Sequence, residues 1–430
     1  GAHHNDGNGY ESGHVRVYNW DGLSWNQLGA DIDGESAGDW TGMYVSLSFD
    51  ASTVAIGAHG NDGNGPNSGH VRIYNWNGTS WIQIGQDIDG EAAGDECGHS
   101  VSLSDDGSIV AVSAISNDGN GVSSGHVRIY EYNGNSWIKI GQDIDGEYSG
   151  DMFGWSVSIN SDGTIVAIGG KHNSWLNSLS TPNGNNGYHA GHVRIYEWDG
   201  IIWNQLGTDI AGQAEYDESG FSVSLSDDGS IVAIGAREND GNGSNSGNTR
   251  VFEFNGNNWN QIGADINGEF QGDLSGHSVS LSGNGNRLAV GAIANDGNGS
   301  TSGHVRVFDN INGSWIQITQ DIDGENSHDQ SGHSVSISND GNSVAIGARY
   351  NSSNLFESGH VRVYNITPPC SDLGCLDPLA LNFDPNATVS DSTCIYPIYG
   401  CIDSTALNYN LSANIDDGSC TYCIYGCTDS

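Results

Sequence analysis

Apolar and polar residues alternate in short runs along most of the chain, and the runs recur in a fixed order. Residues 98–104, Gly-His-Ser-Val-Ser-Leu-Ser, show the two-residue period of a strand with one buried face. Asp105-Asp106-Gly107-Ser108 follows as a turn, and Ile109 to Ala114 as a second, more continuously apolar strand. A Gly/Asn loop at 117–121 leads to a third strand, His126 to Tyr130. A turn at 133–135 leads to a fourth, Trp137 to Gln142. Asp143-Ile144-Asp145-Gly146-Glu147 passes to the next unit. No window carries the 3.6-residue period of a helix.

The third strand fixes the repeat. It begins at His14, His70, His126, His192, Asn248, His304 and His360, with spacings of 56, 56, 66, 56, 56 and 56 residues. Four short antiparallel strands per unit, in seven related units, predict an all-β fold. The expected architecture is a seven-bladed β-propeller of four-stranded blades over residues 1–366. The first blade is then incomplete, its inner strands expected upstream of Gly1, and the chain reads as a piece of a longer one.

Thr367-Pro368-Pro369 opens a stiff linker over 367–373. A second repeat follows with a period of 26 residues: Gly374-Cys375-Leu376-Asp377 recurs as Gly400-Cys401-Ile402-Asp403 and again at Gly426. It gives modules at 374–399 and 400–425 and the start of a third at 426–430. Seven of the eight cysteines lie here. Modules this small need crosslinks, which form in oxidising compartments. Equal spacings of 19 residues suggest Cys375–Cys394 and Cys401–Cys420. Linkage between adjacent modules is the alternative, and Cys370, Cys423 and Cys427 stay unassigned.

Composition narrows the partners. Twelve Lys plus Arg face 53 Asp plus Glu, a net charge of −41. Nucleic acid is excluded as a partner, because binding it rests on neutralising phosphates. No run approaches the ~20 apolar residues of a membrane helix.

The blades resemble FG-GAP repeats, the units of the integrin α-subunit head and of many secreted bacterial proteins. Phe153-Gly154-Trp155-Ser156-Val157 carries the first half of that motif. Gly57-Ala58, Gly235-Ala236, Gly291-Ala292 and Gly347-Ala348 carry the second. The resemblance implies a calcium loop between the first two strands, but short turns such as Asp227-Asp228-Gly229 stand there, so those sites are not carried over. The C-terminal modules are similar to cysteine modules of secreted Bacteroidetes proteins.

Candidate chemistry is repetitive. Arg16, Arg72, Arg128, Arg194, Arg250, Arg306 and Arg362 occupy one position of the third strand and read as structural residues buried between blades. They need acceptors, and Asp39, Asp95, Asp151, Asp217, Asp273 and Asp329 recur at the same period as candidates. The tryptophans that open the fourth strands read as packing between blades. Asp6, Asp62, Asp118, Asp240 and Asp296 sit in near-identical loops and are candidate calcium ligands; the same residues also make plain turns. Cys97 reads as a small buried thiol. Eight Asn-x-Ser/Thr sequons, at Asn77, Asn242, Asn298, Asn312, Asn351, Asn365, Asn386 and Asn410, are candidate glycan sites.

One loop breaks the pattern. Ten extra residues enter within 171–190 and bring Lys171, His172, Trp175 and Tyr188 onto the loop face, a candidate site for a glycan or a neighbouring subunit. A tolerated surface insertion is the plain alternative. No catalytic constellation stands out, and the chain reads as a non-enzyme. The expected role is extracellular or cell-surface adhesion or scaffolding through self-association or another surface protein, with assembly into a fibre as one form of it. A carbohydrate-binding propeller is the alternative, and a polysaccharide-active enzyme the third reading.

Overall fold

A computed structural model describes residues 1–173, 188–353, 355, 357–366, 373–375, 377–383, 389–390 and 393–422. Contacts divide the chain into two units, Gly1–Ile366 and Thr367–Ser430. The described residues contain strands and turns and no helix.

The first unit is a β-propeller of six blades. The blades begin at Val45–Leu47, Cys97–Leu103, Phe153–Ile159, Ser222–Leu225, Ser275–Leu281 and Ser331–Ile337, and are numbered 1 to 6 in that order. In blade 2 this inner strand pairs with Ile109–Ala114, which pairs with His126–Tyr132, which pairs with Trp137–Lys139. The short Ile144–Asp145 returns to pair with the third strand. Blades 1 to 5 share this order, and blade 6 has three strands.

Six blades correct the expectation of seven. Residues 1–33 carry the remaining copy of the third strand, but they form only two ladders. One joins His14–Val15 to Ile32–Asp33 and the other joins Tyr18–Trp20 to Trp25–Gln27. A blade buries its face through its two inner strands, and here only Ala2 bridges back to His14.

The serines of the inner strands explain how the blades are spaced. The Ser46 hydroxyl accepts the Leu103 N–H at 3.0 Å, Ser102 that of Ile159 at 3.0 Å, and Ser158 that of Leu225 at 3.0 Å. Ser224 and Ser280 continue the series to Leu281 and Ile337. Beyond these strands a main-chain chain of hydrogen bonds circles the axis, from Phe49 to Asp105, Ser161, Asp227, Gly283 and Asn339. The polar residues of the alternation are thus inter-blade connectors, and each inner strand donates to its neighbour rather than to water.

Apolar clusters fill the spaces between blades. Ala55, Val71 and Ile73 of blade 1 pack on Val101, Leu103, Val110 and Val112 of blade 2. The fourth-strand tryptophans reach back as well: Trp137 Nε1 donates to the Ile84 carbonyl at 2.9 Å and Trp203 to that of Ile140 at 3.1 Å. Both indoles are 2% exposed. The opposite case appears at the ends of the series. Val361 is 69% exposed where its equivalent Val305 is fully buried, because among the described residues no blade lies against that face.

The second unit repeats one small design. Cys375 is bonded to Cys394 and Cys401 to Cys420. Asn382 donates to the Thr393 carbonyl and accepts from Ile395, and Asn408 does the same with Ser419 and Thr421. Each asparagine ties the two halves of its module where apolar burial is small.

Candidate functional site

Three positions of the repeat meet around the axis, at the end reached by the second-to-third-strand loops, and they are among the positions at which the repeats disagree. The first follows the second strand and reads His59, Ile115, Lys171, Arg237, Ile293 and Arg349 in blades 1 to 6. The second lies in the inner strand after a glycine: Met43, His99, Trp155, Phe221, His277 and His333. The third precedes that glycine: Trp40, Glu96, Met152, Glu218, Leu274 and Gln330, all with left-handed φ between 50° and 58°. Non-glycine residues rarely adopt this conformation, and it clusters at sites that bind. The frame under them is constant. Asp39, Asp151 and Asp273 each accept two main-chain N–H groups of the crossover turn. Gly220 shows why the glycine repeats: its φ is +89°, and a Cβ there would stand 2.6 Å from the His192 carbonyl.

The inner-strand position builds a ring of aromatic contacts. His99 meets Trp155 at 4.5 Å between centroids, Trp155 meets Phe221 at 5.7 Å, Phe221 meets His277 at 4.9 Å and His277 meets His333 at 5.1 Å. His59 joins His99 at 5.9 Å. Burial drives these imidazoles toward the neutral form: His59 and His333 fall to about 4, and His99 and His277 fall well below the usual histidine range.

Cations stand above the rings. Lys171 Nζ lies 3.0 Å from the Trp155 ring centroid, and the Arg237 guanidinium lies 3.9 Å from that of Phe221. Burial lowers Lys171 to about 8. Glu218 is buried too, which alone would raise it, but the His172 hydrogen bond and the Arg237 charge carry it down to about 2. It accepts from Arg237 Nε at 2.9 Å and meets His172 Nε2 at 3.2 Å. Outward of this cluster His172 stacks on His189 at 4.2 Å, and His189 stacks on Tyr188 at 3.9 Å. Tyr188 and Tyr216 remain about half exposed.

The structure therefore brings Lys171, His172 and Tyr188 to one place, with Lys171 turned inward rather than outward. Trp175 lies outside the described residues. The candidate calcium ligands have another use: Asp6, Asp62, Asp118, Asp240 and Asp296 each accept a main-chain N–H five residues on, closing their own loop. Among the described residues, the close His/carboxylate groups are His14 with Asp31 and Asp33, Glu35 with His70 and Asp87, Glu91 with His126 and Asp143, and Glu269 with His304 and Asp321. Arg72 and Arg128 already pair with Glu35 and Glu91 in two of them.

The arginine ladder is buried at Arg72, Arg128, Arg194, Arg250 and Arg306 and more open at Arg16 and Arg362. Its partners differ from the recurring aspartates. Arg72, Arg128, Arg194 and Arg362 pair with Glu35, Glu91, Glu147 and Glu325 of the preceding repeat. Arg250 and Arg306 use the main-chain carbonyls of Ala211 and Asn267. The aspartates serve the crossover turn instead, each accepting a main-chain N–H through Oδ2. Cys97 is a free buried thiol, pushed up to about 12 by burial. Three sequon asparagines serve the fold: Asn242 and Asn298 donate to loop carbonyls, and Asn351 is 1% exposed.

The FG-GAP repeat family matches residues 211–252 and 269–308. Hydrazine synthase of Kuenenia stuttgartiensis is a similar solved structure, with 11% identity, a TM-score of 0.51, and coverage of 82% of this chain and 90% of that one. A putative 6-phosphogluconolactonase from Bacteroides uniformis, at 10% identity, has a TM-score of 0.46 and covers 81% of this chain and 95% of that one. At such identity the likeness concerns the fold alone. No curated protein matches the chain in sequence.

Proposed function

We propose, from the premise that the chain is an FG-GAP-type repeat β-propeller with disulfide-closed C-terminal modules, that it is an extracellular adhesion and scaffolding protein that engages its partner at the axial mouth. One observation carries this. Repeats that agree along their strands diverge in the residues facing the axis, and divergence among near-identical blades is where a specific surface arises. The disulfides suit an oxidising compartment. The net charge of −41 suits a solvated exterior. The reading is non-catalytic: Glu218, the buried carboxylate of the mouth, is engaged by both Arg237 and His172.

The test is adhesion by the full chain. Beads coated with it should adhere to one another or to a polysaccharide-coated surface. Tyr188→Ser with Tyr216→Ser, which removes exposed rings at the mouth, should abolish that adhesion. Beads that stay dispersed on both surfaces overturn the reading.

A further inference from the structure

Outside the arginine ladder the chain has five cationic residues, Lys139, Lys171, Arg237, Arg287 and Arg349. Three of them share one repeat position at the axial mouth. The aromatic contacts link them: Lys171 and Arg237 stand over the neighbouring Trp155 and Phe221, and Phe221, His277 and His333 lead in contact to Arg349. Arg237 is paired with Glu218 and Glu238. Lys171 and Arg349 are not paired in this way. Lys171 is 7% exposed, and among the described residues its ammonium meets the Trp155 and Phe221 rings rather than a carboxylate. Arg349 meets the Nε2 atoms of His333, His3 and His4 at 3.3–3.4 Å, and its own Nε is buried without a partner. Burial depresses His333 and His3, so at neutral pH both rings are uncharged and neither supplies a counter-charge to the guanidinium. Nearby, His59 and His99 are 7% and 5% exposed, and each holds an Nδ1 with no hydrogen-bond partner.

Lys171 lies in the field of Glu218 and Glu238 without contacting either carboxylate. Arg349 contacts imidazoles alone among the groups that hydrogen-bond to it. A cation drawn from water without a direct ion pair is costly, as are unpaired polar atoms beside it. An anion relieves both. The rings specify more: Trp155 and Phe221 are half-buried with Lys171 and Arg237 standing over them, so they offer a cyclic ligand apolar contact beside the cations. The net charge of −41 opposes a long polyanion. Resting on the adhesion reading, we propose that the axial mouth binds an acidic saccharide. Lys171 and Arg349 meet its carboxylate or sulfate, and Trp155 and Phe221 give apolar contact to its sugar ring beside these cations.

Calorimetry on the full chain at pH 7.5 tests this with four probes: tetragalacturonic acid, a sulfated galactan tetrasaccharide, neutral galactotetraose and sodium sulfate. At least one acidic tetrasaccharide should bind, with the uronate and sulfate arms telling which acid group is preferred. Neutral galactotetraose should not bind. Lys171→Met and Arg349→Gln should each weaken binding at least tenfold, and Lys139→Met, at an exposed pair, should leave it unchanged. Arg349→Gln decides the matter if Lys171→Met lowers the melting temperature. Equal binding of the neutral probe overturns the proposal and leaves the adhesion reading standing. So does the absence of acidic binding in a chain whose beads still adhere. Sulfate binding as tightly as the saccharides, an adventitious ion only, overturns it as well, and so does acidic binding that both variants retain.

Discussion

Arg128 of blade 2 pairs with Glu91 of the preceding crossover at 3.2 Å, and the same guanidinium donates to the Asp89 carbonyl at 3.1 Å. The two contacts are not equivalent. The Glu91 side chain is 50% exposed, so solvent screens its charge. The carbonyl is tied to a buried guanidinium, and losing a buried partner leaves an acceptor unsatisfied.

Glu91→Gln should therefore cost less than about 1 kcal/mol, whereas Arg128→Met should cost about 1–3 kcal/mol. Urea unfolding of the full chain measures both. A larger loss for Glu91→Gln would make the ion pair, and not the carbonyl contact, the connector between blades.

Trp137 and Trp25 hold the same repeat position in different surroundings. Trp137 is 2% exposed and bonded to Ile84, while Trp25 is 49% exposed in a two-stranded ladder. Trp137→Ala should destabilise by roughly 3–5 kcal/mol, and Trp25→Ala by less than about 1 kcal/mol. Trp137→Phe keeps most of the packing and isolates the indole hydrogen bond, at about 1 kcal/mol. Equal effects for Trp137→Ala and Trp25→Ala in thermal melts would mean that residues 1–33 are packed like a complete blade.

These contrasts show what the sequence could carry. The Ser-Val-Ser-Leu alternation announces a strand, because a buried face imposes a period of two on any sequence. It does not announce that Ser46 serves Leu103, which requires knowing that inner strands stand side by side around an axis. The arginine partners escaped for a similar reason. Glu35, Glu91 and Glu325 lie 37 residues before Arg72, Arg128 and Arg362, on the far side of a crossover, while the recurring aspartates lie closer and look equally suitable. Seven third strands were countable, but blades are counted by inner strands, of which six are present. The axial residues are among the columns where the repeats disagree, but other columns, such as Ser36, Ala92, Tyr148 and Phe270, disagree as well. Lys171 stands out in the sequence by its odd loop, whereas Arg237 and Arg349 are each unremarkable within their own repeats.

Cys375–Cys394 and Cys401–Cys420 each close 19-residue separations inside modules with little apolar burial. A crosslink of that span contributes about 3 kcal/mol, which is most of what so small a unit has. Reduction should speed chymotrypsin cleavage within residues 373–422 and leave the melting of the propeller unchanged. Mass spectrometry of the fragments locates the cuts. A fall in propeller melting temperature on reduction would contradict the free, buried state of Cys97.

The axial histidines make stability depend on pH, and the sign follows from their depressed values. His59 and His333 fall from 6.5 unfolded to about 4 in the folded chain because burial disfavours the imidazolium. Between these values the unfolded chain binds more protons than the folded one, so stability rises with pH across the interval. The contribution is fully present above pH 6.5 and is lost as pH falls toward 4. Each pKa unit corresponds to about 1.4 kcal/mol at most for a fully buried group. His333→Gln removes one titrating group, so its unfolding free energy should fall less steeply between pH 6.5 and pH 4 than that of the parent chain. Urea titrations at half-unit pH steps give both slopes. An acidic ligand at the mouth would oppose the trend, because a nearby anion favours imidazolium, and should flatten the parent slope while leaving that of His333→Gln less affected. Parallel slopes for parent and His333→Gln, with or without ligand, would show that His333 is not held neutral by its place in the ring.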